Sequence, residues 1–302
     1  MRHVFTRRAW ARVALAGLAL LGSLAAGASL WAQEAHAQEK VSFPSRDGTP
    51  LDGYLFRPST ANGPGPAVIF AHGCGGLIGK SGINAREIAW AQRLTGDGYR
   101  VLMVDSFTPR GVKSMCAPAT FRSEVYRARP QDMYGALAYL QAQPFVDPGR
   151  VALMGWSQGG GAVLNTLRTK SAARPAGLAP ARDFQAAVAF YPGSCRPERQ
   201  PGGWSSRIPL MVLTGEKDVW TPLEPCAALL TQAAQAGSPV TLHIYPGAYH
   251  DFDWPGLAYR ERPEFRTKDG AVPIVATDPA ARTDALARVP AFLGRYLRAD
   301  GK

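Results

Sequence analysis

Short runs of apolar residues alternate with amphipathic stretches along most of the chain. Ala67 to Ala71, Val101 to Val104, Val151 to Met154, Ala186 to Phe190, Leu210 to Leu213 and Leu242 to Tyr245 are each of strand length. Runs with so few polar positions suit strands covered on both faces of a parallel sheet. Between most of them lie helical patterns, at Ala85 to Leu94, Gln131 to Ala142, Gly160 to Thr169 and Leu223 to Ala236, and Thr283 to Leu297 closes the series. Strands alternating with helices predict right-handed β-α-β units, hence an α/β fold with a mostly parallel central sheet and helices on both faces. Ahead of these, Gln38 to Phe56 reads as a hairpin turning at Arg46-Asp47-Gly48. No fixed-period repeat is present, which excludes a solenoid. Two segments break the rhythm, Phe107 to Arg129 and Asp251 to Asp278, and loops of that length are more often functional than idle. In open sheets of this kind ligands sit beyond the carboxyl ends of the strands, so the residues that follow each apolar run are the candidates for chemistry.

Composition adds a compartment. The start of the chain has the form of a secretory leader: Arg2, Arg7, Arg8 and Arg12 supply positive charge, Val13 to Trp31 carry none, and Ala35-His36-Ala37 offers a small-x-small cleavage pattern. The expected organisation is a signal peptide over 1–37 and a single α/β domain over 38–302, periplasmic or secreted, with no stable membrane insertion after cleavage. Left uncleaved, the same leader would be a weak anchor, and Thr6-Arg7-Arg8 admits the twin-arginine route. Taking four Arg and one Glu of the leader from 34 basic and 23 acidic residues leaves 30 and 22, a net charge of +8. The densest basic stretches, Arg122 to Arg129 and Arg260 to Lys268, are interleaved with Glu124, Glu261 and Glu264, the pattern of a solvated face and not of a nucleic-acid groove. Four cysteines, an even count, point to disulfides in an oxidising compartment. Without CxxC or His partners at ligand spacing, no metal site is expected.

Chemistry concentrates at Gly155-Trp156-Ser157-Gln158-Gly159. The GxSxG string alone is weak, but here it follows a strand and opens a small-residue helix, the context a nucleophile elbow of the α/β-hydrolase fold requires. A serine hydroxyl needs a base, and in this fold acid and His follow it in the chain. Two histidines do. His243 falls inside a strand, whereas His250 lies in the loop beyond it and is the better base. Asp218, after the strand Leu210 to Thr214, is the acid that would orient the imidazole, with Glu216 in reserve; Asp251 and Asp253 are too near His250 for that role and are candidate substrate contacts. The oxyanion donors would be the N–H groups of Gln158 and of Cys74, the latter in His72-Gly73-Cys74-Gly75-Gly76. Phe107, Arg110, Trp156 and Trp220 are candidate pocket-lining residues, and the sequence does not fix whether Arg110 meets a substrate carboxylate.

Together Ala71 to Gly76, Asp105-Ser106-Phe107, Gly155 to Gly159, Tyr191-Pro192-Gly193, Asp218 and His250 to Asp253 resemble the dienelactone hydrolase family, over about Val41 to Leu297. The resemblance implies a hydrolase of esters or lactones, without a cofactor, monomeric or loosely oligomeric. Founding members of that family carry Cys where Ser157 stands and Glu where Gly73 stands, so fold and triad carry over and specificity does not. The topology it implies sets Cys74 near Cys116 and Cys195 near Cys226, giving two expected disulfides, one stapling the oxyanion loop and the other the acid loop. Three rivals are weighed, and the second and third stand as alternatives. Gly73 to Ser81 lacks the first Gly of a phosphate-binding loop, having Cys74 there. A non-catalytic binding protein of the same fold would not need an intact Ser, Asp and His set. An exported peptidase would share the chemistry, but no propeller or large cap domain is legible.

Overall fold

Five of the six apolar runs become interior strands, whereas Leu242 to Tyr245 falls in a strand at the sheet edge with most of its positions unburied. The computed structural model describes residues 38–60 and 63–298, so the expected leader lies outside the described residues. Eight strands form the central sheet: β1 (Gln38–Pro44), β2 (Pro50–Phe56), β3 (Gly65–Ala71), β4 (Arg100–Asp105), β5 (Val146–Trp156), β6 (Ala186–Phe190), β7 (Leu210–Gly215) and β8 (Val240–Tyr245). Their order across the sheet is β1-β2-β4-β3-β5-β6-β7-β8. Only the pairings that β2 makes, with β1 and β4, are antiparallel; the rest are parallel. Strands β4, β6 and β7 are buried along their whole length, whereas edge strand β1 buries only Val41 and Phe43.

The helices α1 (Ala85–Gly96), α2 (Ser123–Gln141), α3 (Gln158–Leu167), α4 (Leu223–Gln235) and α5 (Pro279–Leu297) cover both faces. Because side chains alternate along a strand, β3 sends Ala67, Ile69 and Ala71 into one core with Met133, Val163 and Leu230 of α2, α3 and α4. Its Val68 and Phe70 enter the other, with Trp90 of α1 and Leu293 of α5.

Three boundaries differ from the sequence reading. Helix α2 starts at Ser123, eight residues before the expected Gln131, and runs through Pro130. A proline inside a helix costs about 3 kcal/mol in lost hydrogen bonding and ring clash. Here the early turns bury Val125, Tyr126 and Arg129, which offsets that cost. Helix α5 begins at Pro279, a residue suited to the first turn, with the Asp278 carboxylate accepting the Ala281 N–H at 2.9 Å as its cap. Strand β5 begins at Val146 instead of Val151. Between the pairs Gly65–Val146 and Ala67–Val151 the register shifts, and Asp147-Pro148-Gly149 forms a bulge tied by Asp147 to the Gly149 N–H and the Arg150 guanidinium.

Candidate active site

Five loops at the carboxyl ends of β3, β5, β6, β7 and β8 meet, and the junction from β5 to α3 is the most constrained. Ser157 sits there with φ 52° and ψ −116°, a left-handed conformation that costs a non-glycine residue about 1–3 kcal/mol and persists only where its surroundings enforce it. They do: its N–H donates to the Phe190 carbonyl, and its own carbonyl accepts from Gly161 and Gly193. A Cβ at Gly159 would lie 2.0 Å from the Ala71 carbonyl oxygen, and one at Gly155 would lie 2.6 Å from that of Gly159. Both flanking glycines are therefore steric requirements of a helix that starts directly against β3.

Asp218 follows β7 and is 3% exposed; His250 follows β8 and is 2% exposed. The His250 Nδ1 and Asp218 Oδ2 are 2.6 Å apart, and since a carboxylate only accepts, the imidazole donates. Three more donors fix Asp218: the Trp220 and Thr221 N–H groups at Oδ1, and the Thr221 hydroxyl at Oδ2. Burial pushes the His250 imidazole down, but the charge and hydrogen bond of Asp218 outweigh it and leave the pKa raised above 6.5. The ring is flanked by Tyr191 and Trp220, at centroid distances of 4.4 and 4.9 Å. His243 lies on edge strand β8, 3.6 Å from Asp284, and does not reach the site. The Glu216 carboxylate accepts the Gly247 N–H at the surface.

Ser157 and His250 line one pocket of about 270 Å³. The glycine loop Gly73 to Gly76 forms one side, and Trp220, Trp254 and Phe265 form the other. Of the four side chains expected to line it, only Trp220 does. Arg110 instead makes a two-pronged ion pair with Asp132, a buried residue of α2, at 2.7 and 2.9 Å. Phe107 and Trp156 are buried. The first sits edge-on against His72, and the second donates its indole N–H to Asp253.

Neither the Cys74 nor the Gln158 N–H donates to a protein acceptor among the described residues, as an oxyanion site requires. Cys74 lines the pocket, and Gln158 opens α3, where the helix dipole favours negative charge. The loop carrying Cys74 is held from behind. Arg129 donates to the His72 carbonyl at 2.6 Å and to the Gln158 amide oxygen, and burial lowers its pKa to about 10. His72 donates from Nδ1 to the Gly73 carbonyl and accepts the Ser106 N–H at Nε2, so it is neutral, and burial holds its pKa well below 6.5. The two disulfides are Cys74–Cys116 and Cys195–Cys226. The first joins the glycine loop to the segment after β4, and the second joins the loop after β6 to the first turn of α4.

Sequence reasoning missed a buried network beneath His250. Asp253 is no substrate contact: it is 1% exposed and accepts the Trp90 and Trp156 indole N–H groups at 2.7 and 2.8 Å and the Tyr191 hydroxyl at 2.5 Å. One carboxylate thus ties α1, the residue before Ser157, the wall of the His250 ring and the His250 loop. Burial raises its pKa, against the charge of Arg86 and the bonds from Tyr191 and Trp90. Arg86, 3% exposed, pairs with Glu87 and Asp251 and lies over the Trp156 and Trp254 rings. Asp251 lines the pocket, with its carboxylate already engaged by Arg86. Asp253→Ala would strand three buried donors, and we expect it to cost about 3–5 kcal/mol in chemical denaturation. Asp253→Asn, which keeps an acceptor for the two indoles, should recover most of that loss.

Among the described residues no group of three His, Cys, Asp or Glu is placed to hold a metal, and no helix is long and apolar enough to cross a membrane. Comparison with known proteins places this geometry among hydrolases. The family model described as "Dienelactone hydrolase family" matches residues 51–297. The quorum-quenching protein AidA of Acinetobacter baumannii is 31% identical over 133 residues, 42% of this chain and 38% of that protein. The chain spans well under half the length of the curated relatives it matches, 38% and 40%. Many solved structures share the fold, two of which illustrate it. A dienelactone hydrolase-like promiscuous phosphotriesterase from metagenomic libraries superposes with TM-score 0.64 at 20% identity, over 86% of this chain and 98% of that one. A dienelactone hydrolase from Anabaena variabilis gives TM-score 0.57 at 21% identity, over 87% and 100%.

Proposed function

The chain belongs to the dienelactone hydrolase family, and on that premise we propose that it is an exported serine hydrolase that cleaves carboxylic esters or lactones through Ser157, His250 and Asp218. The observation that carries this reading is the strained Ser157 at the head of α3, sharing a pocket with an imidazole whose far nitrogen is bound to a buried carboxylate. In the proposed reaction His250 Nε2 takes the Ser157 proton as the hydroxyl attacks the substrate carbonyl. The Cys74 and Gln158 N–H groups receive the oxyanion, and the imidazolium protonates the leaving alcohol. The resulting acyl-enzyme is released by water that His250 activates in turn. Export is supported by the charge pattern of residues 1–37 and by two disulfides that pair all four cysteines.

The test is a hydrolysis panel of nitrophenyl esters, lactones and peptide amides, with Ser157→Ala as control. Turnover of esters or lactones that the control lacks supports the proposal, and turnover confined to amides would move the chain to peptide chemistry.

The base must be neutral to accept a proton, and the pKa of His250 is raised above 6.5. Activity should therefore be lost as pH falls through a pKa above 6.5, not through the ordinary histidine range or below it. A kcat/KM profile from pH 5 to 9 reads that limb directly, because it reports the free enzyme.

A further inference from the structure

A second cavity, of about 480 Å³, opens between the first turns of α2, the end of α3 and the loop after β6, and it shares no lining residue with the pocket of Ser157 and His250. Arg127, Arg168, Lys170 and Arg199 line it, with Glu198 as the acidic counterweight. Among the described residues none of these four cations has a carboxylate within ion-pair range, whereas Arg86, Arg110 and Arg174 each reach one. A second observation points the same way. The Nε and Nη2 atoms of Arg168 are shut off from solvent and have no hydrogen-bond partner. Among the described residues Arg86, Arg100, Arg129 and Arg174 each leave one such nitrogen unmet and Arg168 alone leaves two, so its guanidinium holds donor capacity that no group of the protein uses. Arg122 to Arg129, interleaved with Glu124, reads in the sequence as a solvated face. Arg122, Glu124 and Arg127 are exposed, as that reading expects, and Arg127 also lines this cavity.

We infer that the cavity is a binding site for the phosphate group of a small phosphomonoester. A phosphate dianion presents several oxygens to Arg127, Arg168, Lys170 and Arg199 together and carries the double charge that a cluster of unpaired cations favours over a carboxylate. The cavity is larger than a phosphate alone fills, and Phe121, with Arg199 over its ring, gives a flat apolar wall for an attached organic group.

The experiment titrates the full chain with phenyl phosphate, inorganic phosphate and sodium chloride at matched ionic strength, reading thermal unfolding and calorimetric Kd. Phenyl phosphate should raise Tm saturably where sodium chloride does not, and should bind more tightly than inorganic phosphate. Arg168→Gln should weaken it by about tenfold or more, the loss of one charge-assisted hydrogen bond. Arg199→Gln, at an exposed position outside any ion pair and so without consequence for folding, should weaken it severalfold. A Tm rise matched by sodium chloride, or an unchanged Kd in Arg199→Gln, would overturn the site. Equal affinity for inorganic phosphate would overturn the ester as its ligand.

Discussion

Ser157→Ala is expected to lower kcat for a nitrophenyl ester by about 10⁶-fold, to the level set by substrate binding and oxyanion contacts alone. The size follows from the chemistry: without the hydroxyl no acyl-enzyme forms, and His250 is left with no proton to move. The protein should remain folded, because Ser and Ala both carry a Cβ at φ 52° and meet the same backbone strain. The hydrogen bonds that enforce the turn use the main-chain N–H and carbonyl of residue 157, not its side chain. An unchanged urea midpoint beside the lost activity separates chemistry from structure.

Asp218→Asn is expected to reduce kcat by about 10⁴-fold, the scale of losing the correct imidazole tautomer. The surroundings dictate how the new amide must sit. Oδ1 of Asp218 accepts the N–H groups of Trp220 and Thr221, at 2.8 and 3.0 Å, so the amide oxygen is held there and the NH₂ is turned toward His250. Nδ1 must then accept instead of donate. That moves the ring proton to Nε2, facing Ser157, where it blocks proton transfer. Measured kcat, with NMR of the ring nitrogens to report the tautomer, checks both halves of the argument; a loss of only a few-fold would mean that Asp218 does not orient His250.

Much of this site is legible in the linear chain for a reason that can be named. An interior strand of a parallel sheet must be apolar on both faces, so β4, β6 and β7 appear as unbroken runs. The elbow is legible because contacts under 3 Å exclude any side chain at Gly155 and Gly159, leaving a local signature. Asp218 and His250 follow from fold direction, each lying in the first loop after its strand. What stays hidden is long-range charge pairing. Asp253 and Trp90 are 163 positions apart, and Arg86 and Asp251 are 165, so no local pattern announces either contact. Arg110 illustrates the same limit from the other side. An arginine after a strand invites a role at the substrate, but its partner Asp132 lies 22 positions away on α2, and no local pattern links the two. The buried face of α2 becomes visible only when Tyr126 is seen packed with Phe107 and Met115 and Arg129 bonded to the His72 carbonyl.

The central claim is that Ser157 is the nucleophile, and covalent capture tests it most directly. Incubation with a fluorophosphonate, followed by peptide mass spectrometry, should give a single adduct on Ser157 in the wild type and none in Ser157→Ala. An adduct on another residue, or an ester-hydrolysing protein that stays unlabelled, would contradict the account.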